Sequence, residues 1–256
     1  AWAPDGVRAL KEGERAETLW FADSGTAYDP RIHETARAFA SVLRRADLDV
    51  GTLGRDEVDS GNDARRMGEE GLFETLRDAN LEALAGRGSA RVVTTDPHAF
   101  NALRHDYELD RPVQHHSQVL AELLEGGDVP VRRDADPRTF VFHDPCYLGR
   151  HNGVYDAPRR VLEALGLKTA EMERSKNRSF CCGGGSLSLF LEGESERRMG
   201  EVRLDMAVAA GADVVVTACP YCLINLEDAV KTSGREESVR IMDLAEVVAE
   251  RLDGAA

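Results

Sequence analysis

Five cysteines carry the chemistry legible in this sequence, and none occurs before Cys146; Cys181, Cys182, Cys219 and Cys222 follow. A structural disulfide framework is more often even-numbered and spread through a short secreted chain. An odd number clustered in one half points instead to metal or redox chemistry. Thiolate sulfur is the usual ligand of iron-sulfur clusters and a common ligand of structural zinc, and either centre takes about four converging donors. Cys219-Pro220-Tyr221-Cys222, taken alone, is shared by zinc sites, clusters and dithiol oxidoreductases. His143 stands three residues before Cys146, where it can hydrogen-bond a bound centre or simply position its loop. Gly183, with Gly184 and Gly185, lets backbone pack closely against a bulky inorganic centre. No Gly-Lys-Ser/Thr continuation follows, so the run does not read as a phosphate loop.

The elements that must position these residues alternate. Thr18-Leu19-Trp20-Phe21 reads as a strand, followed by a Gly and Ser turn and then Asp29-Pro30 as the cap and first turn of a helix. Ile32, Ala36, Phe39 and Leu43 form one apolar stripe of that helix. A second helical stretch runs from about Ala64 to Leu84, and Arg91 to Thr94 reads as a buried strand. After Leu124 a Gly-rich and charged connection extends to Pro137. The pattern then restarts with strand Phe140 to Phe142, helix Asp156 to Leu165, and strand Asp213 to Thr217 entering a helix near Pro220. This is an α/β protein of two pseudo-repeated lobes, each a mainly parallel sheet flanked by helices. The lobes span 17–127 and 138–253, and residues 1–16 read as a linker.

The repeat is visible within the chain. Arg65-Arg66-Met67-Gly68-Glu69 recurs as Arg197-Arg198-Met199-Gly200-Glu201. Val92 to Ala99 matches Val215 to Cys222, which sets Asp96 against Cys219 and Ala99 against Cys222. Asp59-Ser60-Gly61 falls against Cys181-Cys182-Gly183, and Asp23 near the counterpart of Cys146. Each cysteine position is thus taken by another residue in the first lobe. Asp23, Asp59 and Asp96 read as solvated replacements, with a hard-cation site the minor alternative. Loop or packing roles are expected of His98, His105, His115 and His116, and solvent positions of Arg150 and Arg159, although either arginine could neutralise a cluster or dock an acidic partner.

The formal net charge of −14, with 46 acidic and 32 basic side chains, excludes a nucleic-acid binder held by a basic face. Only Lys11, Lys168, Lys176 and Lys231 are lysines, so the charge reads as an arginine-rich solvated surface rather than a site for one cationic ligand. Apolar runs such as Val214-Val215-Val216 fall far short of the ~18 residues a spanning helix needs, and no secretory signal is legible.

The whole pattern is more specific than its parts: one Cys, 34 residues, Cys-Cys-Gly, 35 residues, then Cys-x-x-Cys. It resembles the CCG cysteine-rich domain of the heterodisulfide reductase B subunit and of related iron-sulfur subunits of glycolate, lactate and electron-transfer-flavoprotein-linked oxidoreductases. His143-Asp144-Pro145-Cys146-Tyr147-Leu148-Gly149-Arg150, Phe180-Cys181-Cys182-Gly183 and Ala218-Cys219-Pro220-Tyr221-Cys222 carry the resemblance, which covers nearly the whole chain because the family typically has two such lobes in tandem. It implies that Cys146, Cys181, Cys182, Cys219 and Cys222 hold a [4Fe-4S] cluster, cubane or non-cubane, or zinc. It implies partners that are a flavoprotein or dehydrogenase on one side and ferredoxin-type clusters or a quinone on the other. It also implies a cytoplasmic place, free or at the cytoplasmic face of a membrane, and ferredoxin-type clusters upstream on the same polypeptide, with which a start at Ala1 is consistent.

Disulfide-cleaving members need two clustered lobes, and the first lobe here has no thiol. An electron-relay subunit of an iron-sulfur oxidoreductase complex is therefore the expected function. The alternatives are a zinc-stabilised docking module and, because Cys-Pro-Tyr-Cys also resembles the glutaredoxin motif, a thiol-disulfide oxidoreductase. Three companion cysteines argue against the last.

Overall fold

A computed structural model of the chain describes residues 4–185, 188–190 and 197–253. Residues 1–3 of the linker and 186–187 and 191–196 of the second lobe lie outside the described residues. The first lobe comprises β1 (Arg8–Ala9), β2 (Arg15–Phe21), α1 (Asp23–Tyr28), α2 (Ile32–Arg45), β3 (Val50–Thr52), α3 (Asn62–Arg66), α4 (Glu70–Ala85), β4 (Gly88–Thr94), α5 (Pro97–His105), β5 (Val113–His115) and α6 (His116–Gly126). The second comprises β6 (Phe140–Phe142), α7 (Asp156–Ala164), β7 (Thr169–Ala170), α8 (Met199–Ala209), β8 (Val214–Thr217), α9 (Pro220–Thr232), β9 (Arg240–Asp243) and α10 (Leu244–Ala249).

Both sheets are wholly parallel, in the orders β1-β3-β2-β4-β5 and β7-β6-β8-β9. Apart from the edge strand β1 the two orders are the same, which is the internal repeat made structural. Their central strands are apolar on both faces: Leu19, Trp20, Phe21, Val92 and Val93 in one lobe and Phe140, Val141, Val214 and Val215 in the other are buried, as helices covering a parallel sheet demand. In each sheet the direction of winding reverses at one place, between β2 and β4 and again between β6 and β8. At such a switch point the loops leaving the carboxyl ends of the strands part and leave a crevice.

Several local expectations are corrected. Within the stretch read as a linker, Arg8 and Ala9 pair with Gly51 and Thr52 and Leu10 is buried, so ordered structure starts before residue 17. Two residues carry too little pattern to announce a strand. The Gly and Ser turn after Phe21 is α1, one short helix. Helix α2 begins at Ile32, while Asp29 Oδ1 accepts the Arg31 N–H at 2.8 Å and its carbonyl accepts from Ile32. The stretch Ala64 to Leu84 is two helices, broken where Gly68 takes φ +89°, a left-handed conformation that glycine adopts without steric cost.

The lobes meet reciprocally, α2 packing on α10 and α6 on α7. Trp20, Phe39 and Leu120 share one continuous apolar core with Phe142, Val161 and Leu244. Across the same junction Arg31 Nε lies 2.7 Å from Glu227 and its Nη1 2.5 Å from Glu246, and His116 Nε2 lies 3.2 Å from Asp243. No helix among the described residues is long and apolar enough to cross a membrane.

Candidate metal centre

The three loops that leave the carboxyl ends of β6, β7 and β8 bring all five cysteines together. Cys146 follows β6 and Cys219 follows β8, so they flank the switch point; Cys219 is the N-cap of α9, and Pro220 occupies its first turn. Cys181 and Cys182 arrive on the long loop after β7. Cys182 Sγ lies 3.3 Å from Cys222 Sγ. Cys181 interacts with Cys146 on one side and Cys182 on the other, and Cys222 with Cys219. The sulfurs therefore form one connected group. Cys182, Cys219 and Cys222 are buried, and Cys146 and Cys181 are half-buried.

Backbone geometry turns this group into a cradle. The N–H of Gly183 donates to Cys181 Sγ at 3.3 Å and that of Gly184 to Cys182 Sγ at 3.4 Å. Gly183 has φ +90°, and a Cβ on Gly184 would sit 3.0 Å from the carbonyl oxygen of Tyr221, so side chains are excluded from the turn. Asn225, on α9, donates to the Cys182 carbonyl at 2.5 Å. Hydrogen bonds accepted from Cys146, Cys182 and the Gly183 N–H favour the anionic form of Cys181, whereas Cys182 and Cys222 are pushed up by thiolate neighbours and burial. Five converging soft sulfurs with N–H donors aimed at them suit a multi-iron cluster better than a hard cation.

His143 stands with Cys182 and Cys222, their donor atoms all within 4.8 Å of one another. Arg203 Nε donates to His143 Nδ1 at 3.0 Å. Because a guanidinium only donates, Nδ1 is the bare nitrogen and the proton of the neutral ring sits on Nε2. Burial and the nearby Arg203 charge hold His143 down to about 3, so the ring is neutral. Its Nε2 is buried without a protein partner, an orphaned donor of the kind a bound centre would satisfy.

Arg203 escaped the sequence reading. It is fully buried in α8 and also donates to the Arg174 carbonyl and Ser179 Oγ. A charged residue within a helix reads as solvated unless its partners, 60 and 24 residues away, are known. Arg150 Nη1 ties the Ser179 carbonyl at 2.5 Å, and Arg159 grips Asp144 and Glu171. Both thus brace the loops around the cysteines, Arg150 while remaining exposed as expected and Arg159 half-buried.

In the first lobe the equivalent loops carry oxygen. Ser60 donates to Asp23 through its N–H at 3.0 Å and its Oγ at 2.7 Å, Ser24 Oγ to Asp59 at 2.5 Å, and the N–H groups of Ala22 and Asp23 to Glu57 Oε1. Asp23, Asp59 and Asp96 do not together form a triad whose donor atoms converge within 4.8 Å among the described residues, Asp96 converging instead with His98 and Cys219, and serines and backbone already occupy the first two. Burial and the charges of Asp59 and Asp96 push Asp23 well up, and burial pushes Glu57 to about 8. Asp23 and Asp96 are buried rather than solvated as expected, and Asp23 and Asp59 line, with Glu57, an open cavity of about 680 Å³.

Among the described residues of this lobe, Asp96 and His98 reach Cys219. His98, expected in a loop or packing role, is buried beside Asp96 and Cys219, the three donor atoms within 4.8 Å. Its register match to Tyr221 in the Cys-Pro-Tyr-Cys turn was the available signal. His115 and His116 are buried at the start of α6, where His115 Nδ1 meets Ser117 Oγ at 2.8 Å. His105 Nε2 lies 2.9 Å from Asn152.

Comparison with known proteins agrees with this geometry. The sequence pattern of the "CCG: Cysteine-rich domain" family matches residues 23–104 and 140–227, the cysteine-free lobe included. The chain is 40% identical over 262 residues to a "Probable membrane-anchored ferredoxin" of Chromohalobacter salexigens, covering 98% of this chain and 38% of that protein. It is 37% identical over 249 residues to the "Probable iron-sulfur-binding oxidoreductase FadF" of Bacillus subtilis, covering 96% and 35%. To the "EtfAB:quinone oxidoreductase" of Syntrophomonas wolfei it is 34% identical over 258 residues, covering 95% and 36%. The chain thus spans little more than a third of these relatives. Among solved structures, a putative Asp/Glu racemase from Yersinia pestis overlaps with a TM-score of 0.37 at 12% identity, over 91% of this chain and 96% of that one, and adds nothing to the reading of the site. With both lobes matched, over more than half of its length, the chain belongs to the CCG cysteine-rich domain family, with thiols in the second copy only.

Proposed function

We propose that this chain is the part of an iron-sulfur oxidoreductase that relays electrons between a flavoprotein or dehydrogenase and ferredoxin-type clusters or a quinone. The observation that carries the reading is the single connected group of five sulfurs at the switch point of the second sheet. An iron-sulfur centre bound there supplies one-electron chemistry. Cys146, Cys181, Cys182, Cys219 and Cys222 are the residues that would hold it, as a cubane or non-cubane [4Fe-4S] cluster. Gly183 and Gly184 offset thiolate charge with their N–H groups, and His143, oriented by Arg203, offers its Nε2 proton to the sulfurs. The half-buried Cys146 and Cys181 give the site its edge toward solvent and toward a partner. Relatives named as an iron-sulfur-binding oxidoreductase and an EtfAB:quinone oxidoreductase support this reading.

A glutaredoxin-like role fits poorly, because Cys219 and Cys222 are 2% and 3% exposed and disulfide exchange needs an accessible attacking thiolate. The zinc-held docking module draws on one observation, the mixed nitrogen and sulfur set of His143, Cys182 and Cys222. Anaerobic purification followed by iron, zinc and acid-labile sulfide analysis and EPR separates the two. Iron and sulfide with a signal on reduction are expected; stoichiometric zinc without labile sulfide overturns the relay.

A further inference from the structure

His98 belongs to the lobe that has no cysteine, yet it packs against two cysteine-bearing loops of the other lobe and lies beside the third. Its ring packs edge-on against Tyr147, next to Cys146, at 4.5 Å between centroids, and against Tyr221, between Cys219 and Cys222, at 4.6 Å. A Cβ on Gly185, three residues after Cys182, would lie 3.7 Å from His98 Nε2. The donor atoms of His98, Asp96 and Cys219 fall within 4.8 Å of one another.

The ring is held in one orientation. Asp96 Oδ1 lies 3.0 Å from Nδ1 and also accepts the His98 N–H at 2.8 Å. The other carboxylate oxygen, Oδ2, is buried with no protein partner, and Asp96 and His98 are 1% and 4% exposed. A solvent-excluded carboxylate and imidazole beside a sulfur act through a low dielectric, where their field on a neighbouring charge is strong. The strand-to-helix corner that yields Cys219-Pro220-Tyr221-Cys222 in one lobe yields Asp96-Pro97-His98-Ala99 in the other.

We propose that the Asp96–His98 pair of the cysteine-free lobe is a positioning element of the metal centre in the opposite lobe, which clasps the three cysteine loops and raises the reduction potential of the iron-sulfur centre through Cys219. The inference rests on the iron-sulfur reading above. Removing the imidazole strips the buried Asp96 carboxylate of its partner and leaves negative charge facing the thiolates, which disfavours the reduced state. A glutamine restores part of the pairing through its amide.

The test uses the full chain, prepared anaerobically, in wild-type form and as His98→Phe and His98→Gln. Iron and labile sulfide are measured first, followed by a mediated redox titration read by EPR. Retained iron is expected in both variants, with a potential more negative than wild type and further displaced in His98→Phe than in His98→Gln. A phenylalanine fills the same space between Tyr147 and Tyr221, so a packing role alone would leave the potential where it was. Unchanged potentials in loaded variants overturn the inference, and loss of iron from both variants, which would make His98 necessary for building the centre rather than for setting its potential, overturns it too. Wild-type chain that holds no iron overturns the functional reading itself, and the inference with it, before any variant is compared.

Discussion

The first sheet ends in Asp23, Asp59, Ser60 and Asp96 where the second ends in Cys146, Cys181, Cys182 and Cys219, on loops that leave the same strands in the same order. Thiolates at such a crevice neutralise one another poorly and are satisfied by metal. Carboxylates placed there are satisfied by serine hydroxyls and backbone N–H groups, at the cost of keeping acids out of water. Equal backbones therefore do not imply equal sites: what a switch-point crevice binds is set by a few side chains at its rim. The comparison also shows that the altered lobe stays engaged, since its own Asp96 and His98 stand against Cys219.

The contrast is broken most directly by exchanging chemistry at matched positions. Cys182→Ser, at a buried sulfur 3.3 Å from Cys222, is expected to deplete bound iron as read by metal analysis. Ser60→Ala, its counterpart, should leave iron content untouched while lowering unfolding free energy by about 1–3 kcal/mol, because Asp23 loses a buried hydroxyl donor. Equal iron loss from both would mean that the first lobe also holds metal.

A smaller effect is expected from the acids alone. Glu57 moves from an ordinary 4.5 to about 8 through burial. The folded chain thus binds its proton more tightly than the unfolded chain does. The stabilising contribution is complete below about pH 4.5 and is lost as pH rises toward 8. Glu57→Gln keeps an acceptor for Ala22 and Asp23 N–H and should flatten that slope, gaining on the order of 2 kcal/mol at pH 8 and little at pH 4. Denaturant melts at the two pH values measure it; parallel wild-type and variant profiles would contradict the burial argument.

The smallest concerns the junction between lobes. Arg160 pairs with Glu125 at 3.2 Å with both side chains largely exposed, so Arg160→Ala is expected to change stability by no more than about 0.5 kcal/mol. Arg31, which holds Glu227 and Glu246 with its side chain 24% exposed, should cost more when replaced by alanine. Thermal melts of the two variants rank them, and an Arg160→Ala loss as large as that of Arg31→Ala would show that exposed and half-buried pairs carry the junction equally.

The parallel α/β architecture was legible because β4, β6 and β8 are short apolar runs with caps or glycines nearby, and because Arg-Arg-Met-Gly-Glu repeats. The cysteine loops were legible because cysteine is rare and its spacing specific. What escaped depends on distant partners. β1 exists only by pairing with Gly51 and Thr52. Helix α1 forms from turn-prone Asp23, Ser24 and Gly25, whose leading N–H groups are taken up by Glu57 and by Asp23 itself. Arg203 is buried because His143, Arg174 and Ser179 surround it. His98 carries no sign of its neighbours beyond its register match to Tyr221.

The apolar cluster that holds Cys182, Cys219 and Cys222 among Val141, Leu204, Val215 and Leu223 bears on how readily charge would move. Close-packed interiors yield little when a charge appears beside them, and the dipoles around the cysteines are held by Arg203, Asn225 and the glycine turn. An electron arriving at a centre bound there would find an environment already arranged for it. For a centre of the proposed kind the nuclear rearrangement on gain or loss of an electron would therefore be small, which would ease transfer in both directions for the same structural reason.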